Sequence, residues 1–284
     1  MDLTQRTGRV AFQGALGANS HVACTHIVPK MDLLACEDFD RAFNALIKGE
    51  GDLAVIPIEN SSAGRVADIH RLLPDSGLYI IGEYFLPIHH ALVGQTDTVF
   101  EDIREALSHE QALSQCRNYL KSNHIQAVKF SDTAAAAKWL AEKGQPHQAA
   151  ICPALAAEIY GLKILQANIS DQASNTTRFL ILSRDEETPP MSGPTLTSLL
   201  FRTKSEPASL FKALTSFATL GINMTKLESY MIGDRFDVAQ FYIDVLAHKD
   251  SQAFAIALRD LQYFCGDENV RVMGTYDAHA FRGL

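Results

Sequence analysis

The sequence predicts an α/β protein in two parts: a mostly parallel α/β portion from residue 9 to a strand at 175–182, then a ferredoxin-like βαββαβ unit from residue 195 onward. Three observations predict it. Strand-like and helix-like segments alternate throughout residues 9–168, the grammar of a parallel sheet covered by helices. Residues 183–194 are charged and rich in proline, which marks a linker. Beyond the linker the order of elements changes to βαββαβ.

Taken in order, Val10-Ala11-Phe12 is a short strand, and residues 13–21 turn into a helix on Gly14 and Gly17, with Ser20 as N-cap. Such a helix start presents free N–H groups to an anion. No Gly-Lys-Ser/Thr follows, so it is not a P-loop. Phe39, Ala42, Phe43, Leu46 and Ile47 have helical spacing, ended by Gly49 and Gly51. Residues 53–58 form a nearly continuous apolar run, as in a parallel strand buried on both faces. Asn60, Ser61 and Ser62 lie where it ends, which is where open α/β sheets bind ligands; an Asx/Ser-rich turn is the plainer alternative.

Residues 68–73 make a short helix ended by Pro74, and 78–86 a strand that leads to His89-His90. Adjacent strand residues point to opposite faces, so this pair does not grip one metal ion. At 107–116 a strand end enters a helix, with Ser108 as N-cap and Gln111 at capping-box spacing. Residues 127–130 are a strand, and Ser131-Asp132-Thr133 open an alanine-rich helix through Trp139 and Leu140. Residues 148–152 are a strand and 154–160 a helix closed by Gly161. Asn175-Thr176-Thr177-Arg178 then runs straight into Phe179-Leu180-Ile181-Leu182, a polar loop feeding a buried strand. At such a strand mouth Arg178 offers a planar donor fork suited to a carboxylate, and Thr176 and Thr177 offer hydroxyls.

Past the linker, 196–203 is a strand and 207–220 a helix, with Pro207 in its first turn and Gly221 as its stop. Leu210, Phe211, Leu214, Phe217 and Leu220 share one helical face. Residues 224–231 are a strand, Gly233-Asp234 a turn, and Ala239, Phe241, Ile243 and Val245 the buried face of the next strand. Phe254, Leu258 and Leu261 mark a second helix, and the last strand starts at Val270.

The composition, with 47% hydrophobic and 20% charged residues, is that of an ordinary globular protein. A net charge of -8 with no dense basic run argues against nucleic acid as a partner. Five scattered cysteines without Cys-x-x-Cys read as reduced thiols of a cytosolic protein, not as a disulfide framework or a zinc site. No apolar run is long enough to span a membrane, and the first residues lack an apolar signal region.

Six separate motifs stand in order along the chain: Gly14-x-x-Gly17-x-x-Ser20-His21, Pro57-Ile58-Glu59-Asn60-Ser61, Gly82-Glu83 with Leu86-x-Ile88-x-His90, Ser108-His109 followed by Gln115-Cys116, Ala156-Ala157-x-x-Tyr160-Gly161-Leu162, and Asn175-x-Thr177-Arg178-Phe179. In these the chain resembles prephenate dehydratase over nearly its whole length, and its C-terminal unit resembles an ACT domain. The resemblance implies a two-lobed catalytic domain, like a periplasmic binding protein, over residues 1–184. One lobe is about 1–85 plus 168–184, the other 86–167, with the cleft between them. It implies an ACT regulatory domain over 195–284. The family's catalytic positions fall on Asn60, Ser108, Gln115, Thr177 and Arg178, with Ser20, Ser61, Thr176 and Phe179 touching substrate. Thr177 takes the role of donor to the departing ring hydroxyl, and Arg178 orders the loop or anchors a carboxylate. Where some members carry a glutamate before the helix at Thr133, this chain has Ser131.

The resemblance further implies no metal and no organic cofactor, a cytoplasmic homodimer or homotetramer, and feedback by L-phenylalanine at Ala208, Ser209, Leu210, Asn223, Glu228 and Ser229. Here Ala208-Ser209-Leu210 and Glu228-Ser229-Tyr230-Met231 stand where the family often has Gly-Ala-Leu and Glu-Ser-Arg-Pro. Two rival readings are arogenate dehydratase, the same reaction on the amino analogue, and a non-catalytic small-molecule sensor.

Overall fold

The computed structural model describes residues 2–172, 174–231 and 239–284. They form two compact units, one of Asp2–Val66 with Tyr84–Phe179, the other of Ala67–Glu83 with Leu180–Leu284.

The elements of the first unit begin with β1 (Arg9–Gln13), α1 (Asn19–Ile27), β2 (Asp32–Cys36), α2 (Phe39–Ile47), β3 (Leu53–Asn60) and the short β4 (Gly64–Arg65). Next in the chain come α3 (Ala67–Leu72), which belongs to the other unit, and β5 (Tyr79–Pro87), which crosses into the first. Then follow β6 (Ala91–Gly94), β7 (Glu105–Ser108), α4 (Glu110–Gln115), α5 (Arg117–Ser122), β8 (Gln126–Lys129), α6 (Thr133–Lys143), β9 (Gln148–Cys152), α7 (Ala154–Tyr160), β10 (Lys163–Gln166) and β11 (Thr176–Ser183). They build two sheets. The first has the order β2-β1-β3-β11-β5, with β4 hairpinned onto β3. The second has the order β10-β6-β9-β7-β8.

Val10, Ala11 and Phe12 of β1 and Ala54, Val55 and Ile56 of β3 are fully buried, as a parallel strand covered on both faces requires. Both β2 and β3 pair with β1 in parallel. In the second sheet β7 pairs in parallel with β8 and β9. Its other side departs from the expected parallel layering: β6 runs antiparallel to both β9 and β10. Strand β6 follows β5, a strand of the other sheet, so no βαβ crossover sets its direction. Small side chains let α6 lie close to this sheet: Ala134, Ala136 and Ala137 are fully buried beside Ala150 and Cys152. The β1–α1 turn is pressed onto α7, where a Cβ on Gly17 would sit 2.7 Å from Ala156 Cα.

The other unit contains β12 (Thr195–Arg202), α8 (Ser209–Thr219), β13 (Met224–Met231), β14 (Ala239–Val245), α9 (Gln252–Cys265) and β15 (Val270–Asp277). The βαββαβ order is as expected, and its antiparallel sheet runs β13-β14-β12-β15. The turn expected at Gly233-Asp234 lies outside the described residues. Leu199, Phe201, Ile243 and Phe217 pack with Phe254 and Leu261 into one core between the sheet and the helices. Residues 67–83 complete this unit. His70 of α3 lies against the rings of Tyr230 and Tyr242. Arg271 donates to Pro74 O at 2.8 Å and to Leu78 O at 3.0 Å. Arg282 clamps the buried Glu83 carboxylate through Nε at 2.6 Å and Nη2 at 2.8 Å.

Two expectations change here. The helix expected from Pro207 starts at Ser209, because Ala208 takes a left-handed backbone with φ 62°. Phe211 is 73% exposed and does not share the buried face, which is formed by Ala213 and Phe217. A helix of this length carries apolar residues on more than one flank, and spacing alone does not say which flank finds a neighbour.

Candidate active site

A cavity of about 390 Å³ in the first unit is lined by residues at the strand ends of both sheets and at four helix starts, those of α1, α2, α4 and α6. Strand β11 supplies its most polar wall. Residues alternate in a strand, so Thr177 and Phe179 face the cavity while Arg178 points to the opposite side of the sheet. There Arg178 is 2% exposed, donates from Nη1 to Glu59 Oε1 at 3.1 Å, and lies over the Phe85 ring. The expectation of Arg178 as a carboxylate fork at the strand's mouth is therefore corrected: its charge is spent inside the sheet, beneath the cavity wall.

The cavity's amides form a directed chain. The backbone N–H groups of Ser62 and Ala63 both donate to Asn60 Oδ1 at 2.9 Å. A backbone N–H is only a donor, so this fixes which end of the Asn60 amide is oxygen. Asn60 Nδ2 then donates to Thr177 Oγ1 at 2.9 Å and to Asn175 Oδ1 at 2.7 Å. Asn175 Nδ2 in turn donates to Gln115 Oε1 at 3.0 Å. His90 Nε2 lies 2.8 Å from the same oxygen and must therefore carry a proton. The chain leaves two donors uncommitted. Thr177 Oγ1 accepts one bond and Gln115 spends its oxygen twice, while no described residue accepts from the Thr177 hydroxyl or the Gln115 NH₂, and both residues line the cavity.

His90 is 2% exposed, and burial pushes its pKa down, against the opposing effect of the bond to Gln115. Burial thus favours the neutral ring, and its Nδ1 has no hydrogen-bond partner among the described residues. Its neighbour His89 is exposed, so the two rings do face opposite ways.

The helix starts differ in their caps. Asp38, His109 and Asp132 cap α2, α4 and α6 with their side chains. Helix α1 has Ala18 at its N-cap and no side-chain cap bond, which leaves its first N–H groups open beside the cavity. Ser20 is thus not the N-cap but the second helical residue, and it lines the cavity. The Gly17 N–H is taken by His21 Nδ1 at 2.8 Å, which stacks on Phe12. Among the described lining residues there is no lysine or arginine, and Asp132 is the one carboxylate.

Ser108 is not a cap either. It ends β7, is fully buried, and donates to Ile151 O at 2.6 Å, outside the cavity lining. Its strand pairs directly with β9, so its hydroxyl meets a neighbouring carbonyl before it meets a ligand. Ser61 lines an adjoining cavity of about 990 Å³. Its Oγ accepts from Thr176 N at 3.0 Å and donates to Ser174 O at 3.1 Å, so Ser61 and Thr176 stitch the two loops together. His90, Asn175, Asp132 and Thr133 line the cavity without having been singled out as substrate contacts. Asn175 and His90 do stand inside the motifs that carry the resemblance, but nothing in their spacing tells a ligand contact from a loop residue.

In the other unit a cavity of about 550 Å³ is lined by Ala208, Ser209 and Leu210, together with residues 203–207, Phe211 and Ala239. Asn223, Glu228 and Ser229 are not in that lining; Glu228 lies 3.7 Å from Lys226 along β13.

Two sheets with a donor-rich, cation-free cavity lined from both define a cleft protein for a small polar molecule. The chain belongs to the prephenate dehydratase family, whose model matches residues 10–187. It is 42% identical over 274 residues to the bifunctional N-acyl-homoserine lactone acylase/prephenate dehydratase of Komagataeibacter europaeus, covering 96% of this chain and 97% of that protein. It is 39% identical to the chloroplastic arogenate dehydratase/prephenate dehydratase 1 of Arabidopsis thaliana, covering 94% of this chain and 71% of that one. Among solved structures, prephenate dehydratase from Arthrobacter aurescens in complex with L-Phe superposes with a TM-score of 0.87 at 29% identity, over 96% of this chain and 90% of that one.

Proposed function

We infer that this protein converts prephenate to phenylpyruvate by decarboxylating dehydration. In that reaction the ring C–O bond and the bond to the ring carboxylate break. Water and carbon dioxide leave, one proton is taken up, and the electron pair of the carboxylate bond completes the aromatic ring. No redox group is consumed. The observation that carries the reading is the free Thr177 proton, aimed by an Asn60 amide whose own orientation is fixed by backbone donors. A donor so placed meets charge as it builds on the departing oxygen. Neutral donors and the open start of α1 supply the carboxylate contacts. Purified protein given prephenate should form phenylpyruvate. A folded, inert protein sinks the reading and favours the sensor alternative.

Residues 1–184 are the catalytic domain and 195–284 an ACT domain that lets L-phenylalanine inhibit, in a homodimer or homotetramer. What supports this is the βαββαβ topology, the cavity at Ala208–Leu210, and exposed Phe211 and Tyr263. A chain ending at Arg184 keeps every cavity residue but loses Arg282 as the partner of Glu83. It should be active, less stable and insensitive to phenylalanine. Inhibition that persists in it places the effector elsewhere, and light scattering of the full chain tests the assembly.

A second activity is favoured by the 42% identity to the bifunctional relative over nearly the full length of both chains. Release of homoserine lactone from an N-acyl-homoserine lactone decides it.

A further inference from the structure

Prephenate and arogenate share two carboxylates and the ring hydroxyl and differ at one atom of the side chain: a keto oxygen in the first, an ammonium in the second. A keto oxygen takes a donor. An ammonium takes an acceptor, most strongly an anionic one. On the dehydratase reading, one group in the cavity must tell the two substrates apart.

Asp132 is the one carboxylate among the described residues lining the cavity. Its two oxygens have different employment. Oδ1 accepts from both Ala134 N and Ala135 N at 2.9 Å, capping α6. Oδ2 has no hydrogen-bond partner among the described residues. That oxygen lies 3.8 Å from the point where a Cβ on Gly14 would stand, so the missing side chain leaves it open towards the β1–α1 turn. The same turn leads to the uncapped N–H groups of α1, and the same Cβ would be 3.2 Å from Ala18, the N-cap residue. An anion-accepting helix start and a free carboxylate oxygen thus meet around one glycine. That is the pair of partners an α-amino acid head requires: N–H groups for its carboxylate and an acceptor for its ammonium.

We propose that Asp132 Oδ2 receives the substrate's α-ammonium and so sets the ratio of activity on arogenate to activity on prephenate. For the keto substrate the same carboxylate is a cost, because it adds a third negative charge beside two substrate carboxylates and gains no bond in return.

The test is kcat/KM on both substrates for the wild type and Asp132→Asn. Asparagine caps a helix as well as aspartate does, so the variant keeps α6, removes the charge and puts an NH₂ donor where the Oδ2 acceptor stood. The ratio of arogenate to prephenate efficiency should fall by on the order of tenfold or more, through loss on arogenate while prephenate is held or improved. Asp132→Ser, another capping residue, should shift the ratio the same way and serves if Asp132→Asn melts early. A ratio unchanged within twofold in a folded variant overturns the proposal. So does a wild type that turns over prephenate and leaves arogenate untouched. A wild type inert towards both overturns the dehydratase reading itself, an outcome distinct from either.

Discussion

Asn60 Nδ2 stands 2.9 Å from Thr177 Oγ1, and this contact decides where the threonine proton points. Because Asn60 must donate, Thr177 must accept there, and its hydroxyl proton is left for the cavity. Thr177→Ala should lower turnover by about 10²–10⁴, the range of a positioned proton donor. Thr177→Ser keeps the hydroxyl and should retain much more. Asn60→Asp removes the donor and offers an acceptor, which draws the Thr177 proton away from substrate. It should cost on the order of 10²–10³ in turnover with Thr177 still present. Equal impairment of Thr177→Ala and Thr177→Ser in steady-state kinetics assigns the effect to methyl packing and defeats the donor role.

Arg178 and Glu59 form a pair inside the sheet, with Arg178 at 2% and Glu59 at 34% side-chain exposure. Glu59→Gln should lower unfolding free energy by about 1–3 kcal/mol, discounted from the fully buried case because Glu59 is partly wet. Catalysis in the folded fraction should change little. A normal melting temperature with a raised KM instead returns Arg178 to the role of substrate anchor.

His90 ties acid stability to the network. Its folded pKa is depressed by burial, so between the unfolded value of about 6.5 and that lower value the unfolded chain binds more protons. Stability therefore rises with pH through this window and is flat, for this group, above it. His21, also depressed by burial, adds in the same direction. Urea midpoints measured from pH 7.5 downwards should fall below about pH 6.5. His90→Gln should flatten part of that fall. An unchanged slope means His90 ionises freely and does not sit neutral against Gln115.

Ala208 holds a left-handed backbone that suits glycine, at φ 62°. Ala208→Gly should relieve about 1 kcal/mol of strain and raise the melting temperature by a few degrees. In a phenylalanine titration it should also alter the inhibition constant, since the residue lines the C-terminal cavity. No change in either quantity removes both the strain and the effector assignment at this helix start.

Much of the fold was legible because it follows local rules. Continuous apolar runs became β1, β3 and β9; the polar-to-apolar step at Thr176 became β11; Asp132 opened α6 as its sequence says. Elements that were missed had weak local signals. Strand β2 is largely exposed, β4 has two residues, and α5 follows α4 with only Cys116 between them. Ser20 and Ser108 fit the cap pattern without being caps, for one reason. A serine near a helix start satisfies the cap pattern, and only the backbone shows whether Ala18 or His109 occupies the boundary.

The sequence by itself determined the family, the order of the elements and the polar residues gathered at the strand ends, because residue type, period and turn chemistry are properties of neighbours in the chain. Tertiary structure alone decided which of those residues share a cavity and which way each faces. Thr177 and Arg178 are adjacent in sequence and end on opposite sides of a sheet. Asn60 and Thr177 are 117 residues apart and share a hydrogen bond. Direction of donation, burial of charge and the free oxygen of Asp132 depend on partners brought in from distant strands and helices, and no local pattern carries that information.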